Sequence, residues 1–220
     1  MRSEYPIFVW WYYSDRYRQN ALNLKKQCLL LDLPFYYEEM DMPHYAKEAR
    51  QIKPALSNKR FATRCGMLWL RDTFKKLKRP IFYLHADCVI EFKPELEIFN
   101  GVDVGYSVGE RKDGLQIIFS GAIYFNYSNV ATDFLDVLAF KCKTIRGERP
   151  TEHDLIRTTI FDFSGCTHDG KLIKNGYENT QHNKFQFKNS VAPLKTVSRN
   201  YIFSEKGDAY IRYTGLRNIW

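Results

Sequence analysis

The sequence predicts an α/β protein with a mixed, mostly parallel sheet flanked by helices in a single domain. Strand-length apolar segments alternate along the chain with amphipathic helical segments, which is typical of sheets covered by helices. The strands are continuous apolar runs, as expected where both faces of a parallel sheet are buried. The length of 220 residues matches one domain of ordinary size.

The first half of the chain begins with an apolar, aromatic run of strand length at residues 7–13. Ser14 and Asp15 then supply oxygens that can cap a helix start. Residues 16–31 carry apolar side chains in steps of four and three, which describe one helical face. The following segments are predicted as a strand at 35–39, a polar loop at 40–57, a helix at 59–77, a strand at 80–84 and an extended stretch at 88–92.

The second half of the chain predicts strands at 102–108 and 121–126 and helices at 129–141 and 152–161. Beyond Phe163 the chain is polar, rich in Gly and Asn, and weakly periodic. We therefore divide it into a core at 1–165 and a basic C-terminal extension at 166–220, which we expect to complete the site or an acceptor surface.

The net charge of +8 is unevenly distributed. Residues 47–79 carry eleven basic side chains and two acids, a local charge of +9, and residues 171–220 carry +6, which leaves −7 elsewhere. Such basic clusters attract phosphate, nucleic acid or anionic lipid. At about 100° per residue, five cations of the predicted helix 59–77 form one stripe beside an apolar one. They are Arg60, Arg64, Arg71, Lys75 and Lys78.

Cysteine spacing and hydropathy indicate in which cellular compartment we expect the protein. The five cysteines are widely spaced and contain no Cys-x-x-Cys pair, which argues against a zinc site or a disulfide framework. No segment approaches the roughly 20 apolar residues of a membrane span. The N-terminus also lacks the pattern of a secretion signal. We expect a cytoplasmic protein with reduced, buried thiols.

The most specific local feature is the sequence His85-Ala86-Asp87, which directly follows the apolar run 81–84. In open α/β sheets, ligands bind beyond the carboxyl ends of the strands. An imidazole and a carboxylate at that place could hold a divalent cation, which in turn could bind a diphosphate.

This segment resembles the Asp-x-Asp motif of GT-A fold glycosyltransferases, with His85 in place of the first Asp. Three other parts of the chain are similar to elements of that family: the first strand and helix, the Lys59-Arg60-Phe61 helix, and the 102–105 strand. Ser120-Gly121-Ala122-Ile123-Tyr124-Phe125-Asn126 is similar to its Ser-Gly-x-x-x-Phe-Asn segment. Glu152-His153-Asp154 is similar to its acidic segment at the start of the next helix. The order of these motifs holds across about residues 7–162.

The resemblance implies a nucleoside diphosphate sugar as donor and Mn²⁺ or Mg²⁺ as cofactor. Asp87 is the first expected metal ligand, His85 the second, and His182 a candidate third. Because His85 replaces a carboxylate, we expect the metal to bind weakly or to be replaced by basic side chains.

The resemblance also implies roles for side chains around the motif. Asp154 is the expected general base if the transfer inverts the sugar, or it positions the donor if configuration is retained. Glu152 shares this role, and helix capping is the alternative for both acids. The residues expected to bind the donor or the acceptor are Tyr12, Tyr13, Lys59, Arg60, Arg64, Ser120 and Gly121.

These features lead to a sugar-nucleotide-dependent glycosyltransferase as the first hypothesis. The basic clusters raise two acceptors: nucleic acid, such as hydroxymethylated phage DNA, or a cell-surface or lipid-linked glycan. The main alternative is a GT-A-like module with little or no activity that binds nucleic acid or another polyanion. A nucleotidyltransferase is less favoured, because no Gly-rich, Arg-containing phosphate loop follows the first strand.

Overall fold

Strands and helices alternate through most of the chain. The computed structural model describes residues 5–49, 58–94, 96–99, 103–110, 116–144, 151–164, 193–194, 201–203 and 209–213. The helices are α1 (Asp15–Leu30), α2 (Met42–Glu48), α3 (Asn58–Leu77), α4 (Asn129–Thr144) and α5 (Glu152–Ser164), with a 3-10 turn at Leu96–Phe99. The strands are β1 (Ile7–Tyr12), β2 (Phe35–Glu39), β3 (Ile81–Leu84), β4 (Cys88–Ile90), β5 (Val104–Glu110), β6 (Gln116–Phe125), β7 (Pro193–Leu194), β8 (Tyr201–Phe203) and β9 (Ala209–Tyr213).

A six-stranded mixed sheet forms the centre of the fold, with the order β2-β1-β3-β6-β5-β7. β1 runs parallel to β2 and β3, and β5 runs parallel to β7. β6 is antiparallel to both β3 and β5, so three of the five pairings are parallel. The predicted α/β class with a mixed, mostly parallel sheet is confirmed.

Strands β1 and β3 form the buried interior of this sheet. Phe8 and Phe82 are fully buried partners in the register, and their rings meet edge to face at 5.3 Å. The Trp10 indole stacks on Phe35 and Tyr37 of β2. Continuous apolar strands of this kind are the pattern from which burial on both faces is expected.

The predicted apolar helix faces are those that pack on the sheet. Helix α1 buries Ala21, Leu24 and Cys28, which are spaced three and four residues apart. Helix α3 buries its own apolar stripe in the same way, including Leu68 and Trp69. In both helices, the face that the sequence periodicity predicts to be apolar is therefore the face that is buried.

The predicted loop at 40–57 is wrong over part of its length, because Met42–Glu48 is helical. The Asp41 side chain caps this helix by accepting from the His44 backbone N–H at 3.0 Å. Pro43 lies in the first turn, where its missing N–H costs no hydrogen bond. Tyr45 is buried and anchors the helix to the core.

A second, three-stranded antiparallel sheet has the order β4-β9-β8. β9 pairs with β4, so that Cys88 lies opposite Tyr213. The segment predicted as a C-terminal extension thus contributes β7 to the central sheet and β8 and β9 to the small one. The division at residue 165 stays a prediction.

Four cysteines, Cys28, Cys65, Cys88 and Cys142, are buried free thiols, as predicted. Burial raises the pKa of Cys28, Cys65 and Cys142 to about 12, so these thiols stay protonated. Cys166 lies outside the described residues. None of the helices in the described part of the chain is both long and apolar enough to cross a membrane.

Candidate active site

The candidate site lies where β1 and β3 end side by side at one edge of the central sheet. The two strands are parallel and adjacent, with Val9 opposite Tyr83. Tyr12 therefore ends at the same edge as His85, which follows the last residue of β3. This is the edge at which open α/β sheets bind ligands.

The backbone fixes His85 at the start of a tight turn. Its N–H donates to the Gly121 carbonyl of β6 at 2.9 Å. Its own carbonyl accepts from the Cys88 N–H at 2.9 Å, which closes the turn that carries Asp87. The Cys88 thiol also donates to Gly121, at 3.2 Å. Gly121, predicted as a donor-binding residue, is thus the backbone anchor of the motif.

The first turn of α5 contacts the end of β3 through Glu152. Its Oε1 lies 3.0 Å from His85 Nε2, and only 4% of Glu152 is exposed. The Glu152 carboxylate also lies near Tyr83. The pKa of Tyr83 is raised well above its usual range, first by burial and then by the charge of Glu152. The structure therefore brings together two predicted site residues, His85 and Glu152, that are far apart in sequence.

A second contact joins α5 to the sheet one residue further on. The buried Ser120 Oγ lies 3.0 Å from His153 Nδ1. Together with the His85–Glu152 pair, it holds the start of α5 against β3 and β6. His153 was not predicted as a site residue; its position beside Glu152 was the available signal.

Asp154 caps α5. One of its oxygens, Oδ2, accepts from the Thr151 backbone N–H at 2.9 Å and from the Thr151 hydroxyl at 2.8 Å. The other, Oδ1, accepts from Arg157 at 2.9 Å. Burial acts to raise the pKa of Asp154, but the bonds from Thr151 and the charge of Arg157 lower it overall. This geometry favours the capping alternative over the predicted general base.

Aromatic side chains line the end of β1. The Trp11 indole N–H donates to the Tyr83 hydroxyl at 3.1 Å. The Tyr13 ring lies 5.3 Å from that of Tyr17 on α1. Tyr12 and Tyr13 are both half-buried at the predicted edge. The sequence does not predict the Trp11–Tyr83 hydrogen bond, because a run of aromatic residues does not show which side chains contact one another.

The cations of α3 do not form the open stripe that the sequence predicts. Arg64 is 1% exposed and lies beside Cys142, and this burial lowers its pKa. Arg71 pairs with Glu48 and Asp72, at 3.1 and 2.7 Å. Further along, Lys75 pairs with Asp136 of α4. The prediction of exposed cations is therefore wrong for Arg64, which is buried in the core, and for Arg71, which pairs with an acid of α2 and with the next residue of α3.

Lys59 and Arg60 open α3, but their side chains lie outside the described part of the structure. His182 likewise lies outside it. Their predicted roles in phosphate, acceptor or metal binding stay predictions.

Potential metal ligands cluster in one place within the described ranges, at His44, Glu48 and Asp72. Their ligand atoms lie within 4.8 Å of one another. Glu48 is paired with Arg71 and Lys143, however, so cations of the chain already balance this cluster. Among the described residues, His85 and Asp87 form no such group of three.

Of the comparisons with known proteins, only the one with solved structures returns matches. A scan against family models and a search of the curated proteins each return no match. The chain is similar to the crystal structure of a glycosyltransferase involved in the glycosylation of the major capsid of PBCV-1, with a TM-score of 0.51 and 13% identity. That alignment covers 71% of this chain and 76% of the other. It shows that the chain has a glycosyltransferase-type fold.

A second similar structure is the apo form of mouse xyloside xylosyltransferase 1, with a TM-score of 0.47 and 11% identity. The alignment covers 97% of this chain and 98% of that one. A TM-score of this size adds nothing to the fold assignment.

Proposed function

We propose that the protein is a glycosyltransferase that moves a sugar from a nucleoside diphosphate donor to an acceptor hydroxyl. The observation that carries the proposal is the position of His85 and Asp87 beyond β3, with buried Glu152 held against His85. This arrangement occupies the ligand-binding edge of a fold shared with a glycosyltransferase.

The side chains of the motif fit a divalent cation. A carboxylate at Asp87 and an imidazole at His85 form a mixed oxygen and nitrogen donor set, which suits Mn²⁺ better than Mg²⁺. Glu152 contacts Nε2 of His85 and would orient the imidazole that helps to hold the cation. When bound, the cation would supply positive charge to the diphosphate as it leaves.

The surrounding residues supply orientation. Gly121 fixes the His85 backbone, and Ser120 holds α5 through His153. Tyr12 and Tyr13 offer aromatic surface at the end of β1 for a base or ribose. Lys59 and Arg60, at the start of α3, remain candidates for diphosphate or acceptor contacts.

The acid in closest contact with the motif is Glu152, and we assign it the orienting role. Asp154 remains the candidate for acceptor-side chemistry only if its bonds to Thr151 and Arg157 rearrange on binding. A carboxylate with a lowered pKa is a weak base, so the capping role is the better supported one.

Release of nucleoside diphosphate tests the proposal directly. The purified protein is incubated with a panel of UDP-, GDP-, ADP- and dTDP-linked sugars, with and without Mn²⁺. We expect slow donor hydrolysis that Mn²⁺ accelerates and that His85→Ala and Asp87→Asn reduce at least tenfold. Asp133→Asn, which removes an exposed acid on α4, is the matched control and should leave the rate unchanged.

Failure to release nucleotide from every donor in both conditions would contradict the proposal. That result would favour the alternative of a glycosyltransferase-like module that only binds its ligand. If the wild type, His85→Ala and Asp87→Asn hydrolyse the donor at equal rates, the activity arises at another site.

A nucleic-acid acceptor is tested separately. Binding of hydroxymethylated duplex DNA should weaken steeply with salt if Lys and Arg neutralise its phosphates. Because Arg64, Arg71 and Lys75 are buried or paired within the fold, we favour an uncharged glycan acceptor. Tight, salt-dependent DNA binding would reverse that preference.

A further inference from the structure

A cleft of about 350 Å³ lies between α1 and residues 86–89, which comprise the last two residues of the motif and the start of β4. Its volume falls near the lower end of the roughly 300–1,000 Å³ typical of small-molecule sites. None of the roles proposed above uses it, except that Asp87 forms part of its wall. Its lining is Asn20, Asn23, Lys26, Gln27, Ala86, Asp87, Cys88 and Val89.

One wall of the cleft is a stripe of side-chain amides. Asn20, Asn23 and Gln27 are spaced three and four residues apart, so they share one face of α1. Gln27 is fixed, because its Oε1 accepts from the Ile90 backbone N–H at 2.8 Å. The Asn23 Oδ1 accepts from Gln19 at 3.1 Å. These bonds orient two amides whose NH₂ groups remain as donors.

The opposite wall combines a carboxylate with small apolar groups. Asp87 supplies acceptor oxygens, while Ala86 and Val89 supply apolar surface. Cys88 adds no reactive group, because burial raises the pKa of its thiol well above the usual range. Lys26 balances the charge of Asp87, so the lining as a whole is close to neutral.

We propose that this cleft is a saccharide subsite that holds the acceptor sugar beside the motif. This inference rests on the proposed function, since it deepens the account of the same site. A sugar ring offers hydroxyl groups around its edge and C–H groups on its faces. The cleft matches both, with amide donors and carboxylate acceptors next to apolar Ala86 and Val89.

The chemistry of the lining selects an uncharged sugar over a phosphate-rich ligand. A polyanion would face the negative charge of the Asp87 carboxylate in the wall of the cleft, whereas an uncharged sugar would not. The volume suits one sugar ring rather than a whole nucleotide sugar.

Binding of simple sugars tests this inference without any donor. The full-length protein is titrated with methyl glycosides of glucose, galactose, mannose, xylose and N-acetylglucosamine, and amide signals are followed by NMR. We expect at least one glycoside to shift the Asn20 and Asn23 side-chain signals with a Kd in the millimolar range. Asn20→Ala should weaken that binding about fivefold, the loss of one hydrogen bond.

Arg18→Ala is the matched control, because Arg18 is exposed on the same helix and lies outside the cleft lining. It should bind the glycoside like the wild type. Asn20→Ala should also raise the KM for that methyl glycoside as acceptor. Thermal melting of each variant establishes that it is folded.

The two proposals fail in different ways. Donor hydrolysis without any glycoside binding, or binding that Asn20→Ala leaves unchanged, would overturn the subsite alone. Glycoside binding at Asn20 without donor hydrolysis would retain a saccharide site and overturn the proposed transferase.

Discussion

His85 Nε2 and Glu152 Oε1 lie 3.0 Å apart, so the end of β3 and the first residue of α5 are joined at the candidate site. Glu152 is buried, while the His85 side chain is 19% exposed. The carboxylate thus contacts the imidazole from the protein interior. His85 is therefore the more exposed partner of the pair.

Replacement of Glu152 by Gln removes the charge behind His85 while keeping the side-chain shape. If Glu152 orients and polarises the imidazole, the rate of nucleoside diphosphate release should fall about 10- to 100-fold. A measured affinity for Mn²⁺ should fall by a similar factor.

The melting temperature separates this role from a structural one. Glu152→Gln keeps a hydrogen-bonding group at the site, so we expect only a small loss of stability. A large fall in melting temperature with an unchanged rate per folded molecule would show that Glu152 only packs α5 onto the sheet.

Asp154→Ala removes the carboxylate half of the capping box that Thr151 and Asp154 form at the start of α5, and it should lower the free energy of unfolding by about 1 kcal/mol. Its effect should depend on pH, because the pKa of Asp154 is lower in the folded state. The stabilisation is therefore complete above the unfolded pKa of about 3.9 and disappears as the pH falls through the folded value.

Urea unfolding at neutral and acidic pH measures this difference. The stability gap between the wild type and Asp154→Ala should shrink toward about pH 3. Asp133→Ala, which removes an exposed acid on α4, should show no comparable gap at any pH. If Asp154→Ala lowers the rate of sugar transfer by far more than its loss of folded protein explains, Asp154 is again a candidate base.

Gly66→Ala should destabilise the fold despite the higher helix propensity of Ala. A β-carbon at Gly66 would overlap the indole of Trp11, which must then move. Overpacking of this kind costs about 1–3 kcal/mol. Chemical unfolding measures the loss, and a shift in tryptophan emission should report the displaced indole.

The double variant Gly66→Ala with Trp11→Leu is the control for that displacement. If the clash is the cause, introducing Gly66→Ala into a Trp11→Leu background should cost much less than in the wild type. Equal costs in the two backgrounds would contradict this explanation.

Lys78→Gly should stabilise the protein. Lys78 follows α3 with a φ of 50°, in the left-handed region where a β-carbon is strained. Glycine removes this strain. Once the cost of glycine's greater freedom in the unfolded chain is subtracted, we expect the free energy of unfolding to rise by about 0.5–1 kcal/mol. Thermal unfolding checks this, with Lys78→Ala as the control that keeps the β-carbon and should give no gain.

Local sequence patterns were sufficient for most of the fold. Continuous apolar runs predicted β1 and β3, and the spacing of Ala21, Leu24 and Cys28 predicted the buried face of α1. Helix α2 was missed, because Pro43 was interpreted as a loop residue although it lies in a first turn capped by Asp41.

Contacts between distant residues were the part that the sequence could not provide. The motif at His85 was visible as a strand followed by polar residues, but its pairing with Glu152 spans 67 positions. The same limit explains the α3 cations. Helical spacing places Arg71 and Lys75 on one face, but it does not show that Glu48 and Asp136 meet them.

The pairing of β4 with β9 has a consequence for the order of events during synthesis. Strand β4 begins directly after Asp87, and its antiparallel partner is made more than a hundred positions later, up to Tyr213 opposite Cys88. β1, α1, β2, α3 and β3 can associate while the ribosome is still translating, because their contacts are closer in sequence. Strand β4, which follows the motif, acquires its partner only afterwards, so the central strands of a nascent chain can pair before the small sheet forms.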